Sequence, residues 1–137
     1  MTSKTKSSAE KPGLNLKDAF EVEYARRELE RRARDEAERR QQEADLANAE
    51  TLLNALSSDP AFLAERGLTV DRRRYTVSID HDNFRIAAYW EAGKGSVTAS
   101  DKRTALPGSA APRKQETVES VEDALRVMAQ YLVDETR

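Results

Sequence analysis

The sequence predicts an α+β protein: a long charged N-terminal α-helix, then a three-stranded antiparallel β-meander covered by a C-terminal amphipathic helix. Three observations carry this. Neither Gly nor Pro interrupts the chain from Leu16 to Leu56. Between Tyr75 and Asp101 apolar and polar residues alternate with a period of two, the mark of strands with one buried face. From Val121 to Leu132 apolar residues return at helical spacing. The order is helix, strands, helix, with no strand-helix-strand alternation, so the strands belong in one antiparallel sheet.

A chain of 137 residues has room for one ordinary domain. Hydrophobic residues make up only 38% and charged residues 35%, so the core must be local. Apolar residues are dense over 46–56, 68–90 and 118–133, which assigns the core to the C-terminal two thirds. The formal charge of -2 hides an uneven spread: Met1 to Gly13 has three Lys against one Glu, Leu14 to Gly67 has nine basic against thirteen acidic residues, and the remainder has eleven of each. No segment is basic enough to hold a phosphate backbone by net charge alone. The absence of cysteine excludes disulfides, thiolate catalysis and thiolate metal sites. The N-terminus lacks the apolar run of a signal peptide, and no stretch approaches the roughly 20 apolar residues that span a bilayer. A cytoplasmic protein with no membrane partner is expected.

Residues 1–13 are rich in Ser, Thr and Lys and predict a disordered tail. Asn15 is the N-cap of the long helix over 14–56, with Asp18 completing a capping-box-like pair. The middle of that helix is almost wholly charged. Acid-first pairs four apart, such as Glu23 with Arg27, Glu28 with Arg32, Glu30 with Arg34, Asp35 with Arg39 and Glu36 with Arg40, stabilise it by about 0.2–0.5 kcal/mol each. Its apolar members Ala25, Leu29, Ala33 and Ala37 are spaced by four and drift around the axis, so a solvated helix is expected ahead of a coiled coil. Leu46, Ala49, Leu53 and Leu56 then follow a 3-4-3 spacing that must be buried.

A small head over 57–137 follows. Asp59 and Pro60 start a helical corner that Gly67 closes. Strand one begins at Tyr75, strand two spans Phe84 to Glu91, and strand three runs from Ser96 to Asp101. Residues 80–83 form the first turn and Gly93 to Gly95 the second. A flexible loop over 104–116 follows, from which Gln115 to Val118 is at most a short edge strand. Ser120 caps the last helix, on which Val121, Ala124, Leu125, Met128 and Leu132 face the sheet with Tyr131 at the border.

Candidate chemistry is sparse. His81, the single histidine, sits among Asp80, Asp82 and Asn83 at an exposed hairpin tip, and these residue types suit a turn better than a metal or catalytic site. No phosphate loop, paired acid and base or activated nucleophile is present, so neither an enzyme nor a cofactor is expected. The function expected is a protein-protein interaction or adaptor module, using Leu29, Leu46, Leu53 and Leu56 toward a partner protein or a second copy, with the unpaired edge of strand three as a further contact. A second reading is a nucleic-acid-binding regulator using Arg72, Arg73, Arg74, Arg85 and Tyr89, with one aromatic as a thin stacking platform. A third is an antitoxin-like or immunity-like inhibitor of another protein.

Overall fold

The computed structural model describes residues 14–103 and 112–137. The expected tail, and the part of the expected loop from 104 to 111, lie outside the described residues. Helix α1 spans Leu16–Leu56 and α2 Pro60–Glu65; strands β1 Thr69–Arg73, β2 Thr76–Asp80, β3 Phe84–Glu91, β4 Lys94–Asp101 and β5 Pro112–Val118 follow, and α3 is Val121–Thr136. The chain divides into two units, one ending at Arg40 and one comprising Gln41–Arg137.

In the first unit α1 starts where capping predicts: the Asn15 carboxamide oxygen accepts the Asp18 N–H at 2.8 Å, and Ala19 N–H closes the first turn on the Asn15 carbonyl at 3.1 Å. Ion pairs then run along the helix, but not only in the acid-first sense. Arg27 reaches Glu23 at 2.7 Å and Arg40 reaches Glu36 at 3.2 Å, while Arg26 spans Glu23 and Glu30, and Arg31 spans Glu28 and Asp35. Arginine is long enough to bridge acids on both the preceding and the following turn, so one guanidinium ties three turns together.

The second unit corrects the strand count. The sheet has five antiparallel strands in sequence order, β1 to β5, instead of three. Strand β1 carries one apolar residue, Val70, and joins β2 through Arg74, at φ 58°, and Tyr75. No glycine or asparagine marks that turn, and Tyr75 lies in the turn instead of opening strand one. Strand β5 takes residues 112–116 from the expected loop and includes the short edge strand expected over Gln115 to Val118, pairing Val118 with Gly95 and Gln115 with Thr98. Strand β4 therefore has neighbours on both sides, and the unpaired edge expected there does not exist. The β3–β4 turn is Ala92 and Gly93, both at positive φ (53° and 83°), the pairing that matches strand twist in two-residue hairpins. Gly95 is inside β4, where an added Cβ would meet Val118 Cγ2 at 2.8 Å and Trp90 Cζ3 at 3.0 Å.

One face of the sheet is apolar: Val77, Ile79, Phe84, Ile86, Ala88, Trp90, Val97 and Ala99 are buried there. Ala49 and Leu52 of α1 and Ala124, Val127, Met128 and Tyr131 of α3 complete the core. On α3 this corrects the expected face, because Val127 and Tyr131 turn inward and Leu125 stays 37% exposed. The other sheet face carries Thr76, Ser78, Arg85, Tyr89, Ser96 and Thr98, by the alternation of the strands.

Candidate functional site

Among the described residues, two surfaces present apolar side chains to solvent. The first is on α1 in the unit ending at Arg40. Leu16, Phe20, Val22, Tyr24 and Leu29 are 85%, 61%, 66%, 59% and 66% exposed. At 100° per residue, Leu16, Phe20 and Tyr24 form one stripe, and Val22 and Leu29, with Ala25 and Ala33 between and beyond, form a second on the opposite side. The Phe20 and Tyr24 rings touch, with centroids 5.7 Å apart. Leu29 was expected here; the other four were not, although the i, i+4 recurrence of Leu16, Phe20 and Tyr24 is a signal readable in the sequence.

The second surface is a cleft of about 200 Å³ in the head, at the junction of the end of α1, α2 and α3. Leu56, Phe62, Leu63, Leu68, Leu125 and Leu132 line it. Its polar groups are spent on the backbone: the Asp59 carboxylate accepts the Phe62 N–H at 3.1 Å, and the Ser58 hydroxyl donates to the Ala55 carbonyl at 3.0 Å. The Arg66 guanidinium lies over the Phe62 ring, 5.2 Å from its centroid. Such a lining suits apolar side chains better than a polar metabolite, which needs several convergent polar groups.

The four residues expected to bind a partner are thus not together. Leu56 lines the cleft, and Leu53 packs against the core beside it. Leu46 is half-buried and its carbonyl accepts from Arg72 at 3.4 Å. Leu29 belongs to the other unit.

The basic residues are dispersed. Arg72 points to the core side of β1 and binds Glu50 and the Leu46 carbonyl of α1. Arg73 pairs with Asp71 at 3.4 Å, Arg74 stacks over Tyr75, and Arg85 lies 3.7 Å from Asp80. Tyr89, 42% exposed, is flanked in the register by Thr76 and Ser96, neither of them aromatic. The expected run of three arginines is therefore one structural tie and two surface groups.

At the hairpin tip, His81 Nδ1 accepts the Asn83 N–H at 3.0 Å, its ring stacks on Phe84 with centroids 4.6 Å apart, and Lys102 binds both Asp80 and the His81 carbonyl at 3.0 Å. Among the described residues no group of three or more His, Cys, Asp or Glu is arranged to hold a metal ion, and no helix is long and apolar enough to cross a membrane.

Two carboxylates organise the head. Asp45, 5% exposed, accepts the N–H groups of Ala92 and Gly93 at 3.0 Å each. Glu135, its side chain 3% exposed, binds both Arg103 and Arg113. On the helical ladder, the hydrogen bond from Arg26, then that from Arg27, pulls the Glu23 carboxyl down to about 2, and Arg31 and Arg39 lower Glu28 and Glu36 in the same way.

No family model, curated protein or solved structure matches the chain.

Proposed function

We propose that the protein is a non-enzymatic protein-interaction module whose N-terminal helical segment is gripped by a partner protein. The observation that supports this reading is the group of five large apolar side chains, each at least 59% exposed, between Leu16 and Leu29. Single exposed apolar residues are ordinary, but a cluster of them on an otherwise charged helix marks a contact surface. Their distribution also bears on the mode of contact. A two-stranded coiled coil covers one seam. Stripes on opposite sides call for cover on two sides, which a groove or a bundle of helices supplies.

Light scattering coupled to size-exclusion chromatography on the full chain decides between self-association and a different partner. If the protein is an oligomer, changing Leu16, Phe20 and Tyr24 together to Ser is expected to return it to monomer. If it is a monomer, the same change is expected to abolish its stoichiometric complex with its partner. Either loss must come with unchanged head stability, because these side chains are solvent-facing. Retention of the oligomer or of the complex by the triple variant overturns the reading.

A further inference from the structure

The last four turns of α1 cover part of the apolar sheet face, and two polar ties fasten them there. At the first, the Asp45 carboxylate takes the consecutive N–H groups of Ala92 and Gly93 at 3.0 Å each and the Gln41 carboxamide at 3.3 Å. At the second, Arg72 crosses from β1 to the Glu50 carboxylate and the Leu46 carbonyl. Of residues 41–56, Asp45, Ala49 and Leu52 are buried, and Leu53 and Leu56 pack partly buried against the core.

We propose that residues 41–56 form a releasable strap: the two ties set the balance between a closed form and an open form in which this segment lifts away while the sheet and α3 stay together. Three observations carry it. The strap's apolar hold is four side chains, Ala49 and Leu52 fully buried and Leu53 and Leu56 partly so, and the two polar ties add to it. Helix α3 covers β3, β4 and β5 with four buried residues of its own, so most of the sheet keeps a helix on it when the strap leaves. The strap continues a helix whose preceding turns are held by their own ion pairs, so release breaks contacts without requiring the helix to melt. A partner that favours either form shifts the balance by its difference in affinity. The proposal stands apart from the reading of the exposed N-terminal stripes, since none of those side chains belongs to it.

Hydrogen exchange on the full chain tests this with Asp45→Asn, which replaces one accepting oxygen by an NH2 facing the turn, and with Arg72→Gln. In Asp45→Asn, the amides of 46–56 and of Ala92 and Gly93 are expected to lose protection by about 10- to 100-fold, the size of a lost hydrogen-bond pair to a charged group, while those of 84–91 and 124–131 keep theirs. Equal loss throughout the head makes the segment part of one cooperative unit and overturns the strap. Unchanged protection over 46–56 overturns it as well. If Asp45→Asn does not fold, Arg72→Gln at the exposed tie gives the same reading: a selective rise in exchange over 46–56 supports the strap, and a uniform rise or none rejects it.

Discussion

Gly95 shows how one missing side chain shapes the head. Trp90 and Val118 close over it, both buried, and the spaces measured above leave no room for a methyl group. Gly95→Ala is expected to destabilise the protein by about 1–3 kcal/mol, since its buried neighbours must shift off their rotamers. Denaturant unfolding followed by the fluorescence of the single tryptophan measures this, and a shifted native emission locates the strain at Trp90. In the sequence Gly95 belongs to a Gly-Lys-Gly turn signal, the commoner use of the residue; only the pairing of β5 reveals a site of close approach. Asp45 was less legible still. An aspartate in a charged run looks like one more rung of the ladder, and nothing local announces that it will meet a hairpin turn 47 residues away. Leu56 was legible because its 3-4-3 spacing leaves a face that water cannot satisfy.

The elements differ in how openly the sequence declares them. Strand β3 alternates over all eight residues, so its buried face was readable in advance. Strands β1 and β5 lie at the two edges of the sheet, where charged residues discourage pairing with other chains and also erase the apolar alternation. Helix α3 is apolar on more than one side, so spacing alone did not choose Val127 over Leu125; the second side lines the cleft. The capping and the composition of α1 were legible, and its ion pairs follow from them. Those pairs have a pH signature. Glu23 has its pKa lowered from 4.5 to about 2 by Arg26 first and Arg27 second. A carboxyl lowered by folding stabilises fully above its unfolded value and loses that contribution as pH falls toward its folded value. Carbon-13 titration of the Glu23 carboxyl is therefore expected to give a midpoint near 2, and Arg26→Gln to move it up toward 4.5. A midpoint already near 4.5 in the unaltered protein removes the ladder at that rung.

At the scale of the molecule, the core is built by distant parts of the chain: the end of α1, the central strands and α3 meet in one cluster. Phe62, on the six-residue α2, lines the cleft and stays 40% exposed. Acidic residues at the end of α3 run against the helix dipole, which favours cations there. Their partners explain their presence: Asp134 binds Lys114 at 2.9 Å, and Glu135 holds Arg103 and Arg113. These two arginines stand on either side of residues 104–111, so one carboxylate gathers the chain as it leaves β4 and as it enters β5. Strand β5 is also paired along its length with β4, and α3 is seated in the core.

The head is therefore expected to be divisible. Cut once by a protease at a site inserted within 104–111, the chain is expected to remain a single particle in which the piece carrying β5 and α3 stays seated on the piece carrying α1 to β4. Co-elution of the two pieces on gel filtration checks this, and Glu135→Ala should hasten their exchange with free pieces; separation at once on cleavage contradicts it. A protein that survives such a cut is a two-piece lock, and its halves made separately become a reporter that reassembles only where both are present.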